Sequence, residues 1–159
     1  MLAGCLGACN SAGCLDNGSA LPLAGFYDSS TGKSVTIHDV EIVGIGAPND
    51  SVLHAASQSA TQVYLPMRST ADQTSWLFSY IDGSTGDAYA EDVVTFDYEP
   101  IPYFASEECG AMYVYRITGL NYTKNLIDSI ALFDSLITNV ELERIKIFFR
   151  SAPEEEAAQ

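Results

Sequence analysis

Basic residues are scarce in this chain: seven Lys and Arg stand against 21 Asp and Glu in 159 residues, a formal net charge of −14. A nucleic-acid surface needs clustered Lys and Arg to neutralise phosphates, so that class of partner is excluded. Long apolar runs are missing too, and none approaches the ~18 to 20 residues of a membrane-spanning helix. The cysteines form no C-x-x-C pair and lie far in sequence from the two histidines, which argues against zinc. No serine sits in a nucleophile elbow. What is present, at 47% hydrophobic residues, is enough apolar material for the core of one domain.

The N-terminus is unusual for its small and apolar residues. Leu-Ala-Gly-Cys5 and Leu6-Gly-Ala-Cys9 both fit a bacterial lipobox, in which small residues enter a peptidase groove and the cysteine thiol receives lipid. A full signal peptide adds a basic segment and a ~7 to 15-residue apolar segment. Only a stub fits upstream of Cys9, so either the start lies inside a signal peptide or the motif is fortuitous. With Cys9 as the lipidated residue, Cys5 leaves with the leader, and Cys14 and Cys109 remain as one possible disulfide in an oxidising compartment. The alternative is two unpaired thiols. Residues 1–18 then read as leader and tether, 19–150 as one domain, and 151–159 as an acidic solvated tail.

Along the domain, period-two alternation is broken by turn residues. Leu21, Leu23, Gly25 and Tyr27 open it, and Asp28-Ser-Ser-Thr-Gly32 reads as a turn. Val35 and Ile37 share one parity, Val40 and Ile42 the other, which implies a bulge or bend at His38-Asp39. Val63, Leu65 and Met67 form a stripe, as do Trp76, Phe78 and Tyr80. Asp82-Gly-Ser-Thr-Gly86-Asp87 is a second turn before Val94, Phe96 and Tyr98. Cys109, Ala111, Tyr113, Tyr115 and Ile117 share one face. Ile145, Ile147 and Phe149 alternate with Arg144, Lys146 and Arg150, leaving Phe148 on the polar side. Leu126, Ile130 and Phe133 fit a helical stripe, whereas Ile130 and Leu132 fit a strand. No internal repeat is visible. The spacing indicates an all-β, antiparallel β-sandwich of immunoglobulin-like or related Greek-key topology.

The candidate chemistry is thin. Gly32-Lys33-Ser34 ends like a phosphate loop, but Tyr27 stands where the first glycine belongs and a strand follows, so a turn is the better reading. His38 with Asp39 offers a partial triad without a nucleophile, and both histidines read as surface or bulge residues. Between Arg68 and Arg116 there is no basic residue and there are nine acids. Asp82, Asp87, Glu91 and Asp92 concentrate there as weak calcium candidates, although the EF-hand ligand order is lacking. Paired carboxylates for glycoside hydrolysis depend on separation in space, and no pair stands out. Trp76 with Tyr64, Tyr98, Tyr103 and Tyr115 could form a stacking surface for sugars or peptides, or could fill the core.

Several segments taken together, the lipobox cysteine with a second cysteine after it, Phe26-Tyr27, Ser106-Glu-Glu-Cys109-Gly110, Asn125-Leu-Ile-Asp-Ser-Ile130 and a last strand ending near Phe149, resemble an uncharacterised family of Bacteroidetes lipoproteins, a DUF6452-like domain of unknown function. The resemblance runs from about Cys9 to Arg150. It implies export, membrane anchoring through Cys9 and a β-rich fold, and it supplies no activity. The expectation is therefore an exported cell-envelope protein with a non-enzymatic binding or structural role, no cofactor, a lipid anchor in the membrane and an envelope protein or glycan as partner. A calcium-stabilised adhesion or glycan-binding domain is the alternative, and a glycoside hydrolase comes third.

Overall fold

Apolar alternation sets the architecture, because a strand with one apolar face must bury it against another sheet. The computed structural model describes residues 20–47, 51–107 and 110–151. Among these the strands are β1 (Leu23–Asp28), β2 (Val40–Gly44), β3 (Val52–His54), β4 (Gln62–Tyr64), β5 (Gln73–Ile81), β6 (Ala88–Ser106), β7 (Gly110–Tyr122), β8 (Ile127–Leu132), β9 (Leu136–Ile137) and β10 (Glu143–Phe149). The described residues contain no helix. A four-stranded sheet runs β4-β1-β10-β8 and a six-stranded sheet runs β3-β2-β5-β6-β7-β9. The molecule is a β-sandwich. Among the described residues the strand pairings are antiparallel except one: β1 lies parallel to β10, at the centre of the smaller sheet.

The core lies between the sheets and takes the residues that alternation marks. Ala24, Phe26, Ile127, Ile145 and Ile147 come from the smaller sheet, and Ile42, Trp76, Phe78, Val94 and Phe96 from the larger. Each large side chain among them stabilises the fold by about 1.5–3 kcal/mol through burial. Trp76 meets Phe96 edge-on at 5.5 Å, and Phe149 of β10 meets Tyr80 of β5 edge-on at 6.2 Å across the sandwich. The Val63-Leu65-Met67 stripe is buried throughout, although only Gln62–Tyr64 is ladder-paired. The ambiguous segment around Ile130 is a strand, β8, paired with β10.

The parity switch before Val40 has a backbone cause. Asp39 adopts φ 54°, a left-handed conformation that Asp tolerates better than most residues, and the chain re-enters the sheet one residue out of phase. The two predicted turns prove to be the same turn built twice. In each, the aspartate carboxylate accepts from the second and third following N–H groups: Ser30 and Thr31 at 3.0 and 2.7 Å, Ser84 and Thr85 at 2.7 and 3.3 Å. Gly32 and Gly86 then donate to the carbonyls of Asp28 and Asp82 at 2.8 and 2.7 Å, with φ of 68° and 76°. Asp-x-Ser-Thr-Gly is thus a local repeat, and Lys33 follows a turn, not a phosphate loop.

Candidate functional site

The outer face of the four-stranded sheet carries more ordered polar and aromatic side chains than its role as a solvated face requires. Tyr27 of β1 stands beside Phe148 of β10 in the ladder, so both rings project outward, with centroids 5.5 Å apart. Lys146, two residues earlier on β10, places its ammonium 4.5 Å from the Tyr27 ring centroid and 5.1 Å from that of Phe133. Such cation–π contacts hold a lysine in place where an open surface would leave it mobile. Phe133 itself is 65% exposed.

Beside this aromatic group lies a carboxylate. Glu143 accepts from the Tyr27 hydroxyl at 2.5 Å and from Gln62 Nε2 at 2.6 Å. The tyrosine's pKa is raised, chiefly because its proton is held by the Glu143 hydrogen bond, with burial and the Glu143 charge adding to it. Further along, the Tyr64 hydroxyl donates to Glu141, and that bond raises its pKa as well. An open cleft of about 480 Å³ continues from here, lined by Thr36, Ser59, Thr61, Gln62, Tyr64 and Glu141 among others. The result is a rigid strip of hydroxyls, amide and carboxylates, flanked by ring faces.

A second polar centre is internal. Asp92, on β6, is fully buried beneath the segment that joins β7 to β8. Its carboxylate accepts five hydrogen bonds: Tyr80 hydroxyl 2.9 Å, Thr123 Oγ1 2.6 Å, and the N–H groups of Asn125, Leu126 and Ile127 at 2.8, 2.8 and 2.9 Å. Burial pushes its pKa up, but the hydrogen bonds from Thr123 and the three amides outweigh this and leave it below the ordinary value. Tyr80 is driven the other way, mainly by burial and then by the adjacent Asp92 charge. Asn125 Nδ2 also donates to the Glu91 carbonyl at 2.7 Å. The Asn125-Leu-Ile segment is therefore the cradle of a structural carboxylate.

This placement bears directly on the calcium candidates. Asp92 offers its lone pairs inward to protein donors, and Asp82 is engaged in its own turn. Glu91, adjacent to Asp92 on the strand, projects to the opposite face, where Ser79 approaches at 3.5 Å. Asp87 is exposed at the end of the turn. The four are not brought together, and among the described residues no group of three His, Cys, Asp or Glu converges on a point. The open 620 Å³ hollow at the β6 bulge holds Asp72, Asp97 and Glu99. There Asp97 accepts from Gln73 at 2.6 Å, and Glu99 pairs with Arg116 at 3.7 Å.

The aromatic candidates divide. Trp76, Tyr98 and Tyr115 are core residues, the two tyrosines meeting edge-on at 5.4 Å. Tyr103 is half-buried on the distal part of β6, and Tyr64 alone of the set lies on the strip. Sequence reading missed Tyr27, Gln62, Phe133, Glu143 and Lys146. The signal was the odd placement of Phe148 on the polar side of β10. His38 is exposed with Nδ1 2.9 Å from Ser59 Oγ, whereas His54 is buried on β3 and its Nε2 has no hydrogen-bond partner among the described residues. Cys5, Cys9, Cys14 and Cys109 lie outside the described residues, so the lipidation and disulfide expectations do too, as does the Glu154-Glu-Glu156 tail.

A family model, described as a family of unknown function (DUF6452), matches residues 39–149. The chain belongs to that family. The matched region of this DUF6452 member spans β2 to the end of β10 and includes Asp92 with its cradle. No curated protein and no solved structure matches the chain.

Proposed function

We propose that this DUF6452 protein is an exported, lipid-anchored module of the cell envelope, non-enzymatic, which binds a neutral, hydroxyl-rich ligand on the outer face of its four-stranded sheet. One observation carries the binding reading: the strip from Tyr64 and Gln62 through Glu143 to Tyr27, with Lys146, Phe133 and Phe148 beside it. A sugar presents apolar ring faces bounded by hydroxyls, which suits aromatic faces flanked by fixed acceptors and donors. The net charge of −14 disfavours an anionic ligand. Anchoring rests on the Leu6-Gly-Ala-Cys9 lipobox.

Two measurements test the proposal. Neutral and acidic glycans are arrayed against the folded protein and against a Phe133→Ser/Tyr64→Ser variant. Binding of neutral glycans that the variant loses is expected. Equal signal from both proteins, or none from either, overturns the binding reading. Intact mass of protein taken from native-host membranes tests the anchor, since an acyl increment on Cys9 is expected and an unmodified thiol there rejects it.

A further inference from the structure

Three of the four arginines in this chain are paired. Arg116, Arg144 and Arg150 meet the carboxylates of Glu99, Asp134 and Asp128. Arg68 meets none among the described residues, although 21 acids stand against seven bases in the sequence. Its side chain is half-buried and is held by one bond, from Nη2 to the Ile45 carbonyl at 3.1 Å. Its backbone is fixed too: the Arg68 N–H donates to the Tyr98 hydroxyl at 2.9 Å, and the Arg68 carbonyl accepts from that hydroxyl at 3.1 Å. The guanidinium thus holds a positive charge and further N–H groups at a defined place.

That place is the wall of a hollow of about 240 Å³, at the end of the sandwich where β2 stops and β5 begins. Met67, Thr74 and Trp76 are buried in it. Gly44 and Trp76 are level on adjacent strands, so their side-chain positions share a face. A Cβ on Gly44 would meet Ala47 alone, at 3.3 Å. The missing side chain leaves the room beside the indole. Thr74 Oγ1 is already engaged, 2.8 Å from the Tyr98 hydroxyl. Arg68 is the one charged residue in a lining that is apolar save for Ser51 and Thr74. The strand residues of this hollow all belong to the six-stranded sheet, whereas the outer strip lies on the four-stranded one.

We propose that this hollow binds a small monocarboxylic acid, with its apolar body on Trp76 and Met67 and its carboxylate on Arg68. Charge decides the head group. An unpaired guanidinium in an apolar wall, where water screens less than on an open surface, favours a negative charge, and a carboxylate matches its donors. Volume decides the body. An apolar cavity of ~150 Å³ holds benzene, so this one takes a ring with a short side chain, about ten non-hydrogen atoms in all. The net charge of −14 repels anions in general, so Arg68 balances one carboxylate and nothing balances a second. The site goes beyond the glycan reading and does not depend on it.

Trp76 is the single tryptophan of the chain and serves as the reporter. Phenylacetate is titrated into the full chain while Trp76 emission is followed, and the titration is repeated with phenylacetamide. A saturable change with phenylacetate is expected. Phenylacetamide has the same shape and no charge, and it should bind about tenfold more weakly, the effect of losing a hydrogen bond between charged groups. In Arg68→Gln, phenylacetate should weaken by about the same factor while phenylacetamide keeps its affinity. If Arg68→Gln does not fold, the contrast between acid and amide in the unaltered chain decides alone. The absence of a saturable change, or equal affinity for acid and amide, overturns the proposal.

Discussion

The carboxylate of Glu143 lies over Gly25, in the space that a Cβ at that position would occupy. Gly25 is in the middle of β1, where glycine ordinarily weakens a strand, and the close approach accounts for it. The same carboxylate is held by Tyr27 and Gln62. Gly25→Ala should therefore expel Glu143 and cost about 1–3 kcal/mol, as overpacking does. In a Glu143→Ala background the cost should shrink markedly, a coupling that a double-mutant cycle in urea measures. The raised pKa of Tyr27 should fall toward that of an ordinary tyrosine in both variants, as read by ultraviolet titration.

Asp92 ties β6 to the β7–β8 connection through five donors, and its replacement should be among the most destabilising in the chain. Asp92→Asn keeps the shape but turns an acceptor into a donor facing backbone N–H groups. A loss of about 3 kcal/mol is expected from donors left buried and unpaired. The pH dependence has a definite sign. A folded-state pKa below the unfolded value of ~3.9 gives stability that is complete above that value and is lost as pH falls through the lower folded value. Thermal melts below about pH 4 should thus fall more steeply in the wild type than in Asp92→Asn. Tyr80, raised by burial, adds stability that is lost as pH rises past the unfolded tyrosine value of ~10.

The paired Asp-x-Ser-Thr-Gly turns make a matched set of variants. Gly32 and Gly86 both have positive φ and open space where a Cβ would stand, so alanine is penalised by backbone conformation alone. Gly32→Ala and Gly86→Ala should each cost about 1–2 kcal/mol, and nearly the same amount. Calcium should leave the melting temperature unchanged in both and in the wild type, because Asp82 Oδ1 is engaged by Ser84 and Thr85 of its own turn and, among the described residues, no two further ligating side chains converge on it. A calcium-dependent rise, which selective binding to the folded state must produce, would contradict this.

Most of the sandwich was legible because its signals are local. Trp76, Phe78, Val94, Phe96, Ile145 and Ile147 announce their inward faces by period two, and both turns carry their own Asp, Ser and Gly. The parity break at Asp39 was readable for the same reason. Three features were not. The parallel β1–β10 pair and the cradle of Asp92 join residues far apart in sequence. Asp92 read as one of four weak calcium candidates, since a buried carboxylate and a solvated one look alike until their donors are known. The outer strip likewise gathers Tyr27, Gln62, Glu143 and Lys146 from three strands. Besides the stacking candidate Tyr64, Phe148 was its visible trace.

That trace leads to the sharpest contrast on β10. Ile147 and Phe148 are sequence neighbours, but the pleat sends one into the core and the other to the outer face. Ile147→Ala should cost about 2–5 kcal/mol, since it opens a cavity between the sheets. Phe148→Ala removes a half-buried ring from Tyr27 and should cost nearer 1 kcal/mol. Phe133→Ser, at a ring largely in solvent, should stay within about 0.5 kcal/mol of wild type. If the strip binds a glycan, the order of effects on affinity reverses. Phe133→Ser and Phe148→Ala then weaken binding by about tenfold or more, each removing a stacking face worth roughly 1–1.5 kcal/mol. Ile147→Ala, assayed well below its melting temperature, leaves affinity intact. Urea unfolding and glycan titration on the same three proteins separate the two rankings. Parallel rankings would mean that the outer rings serve the fold alone.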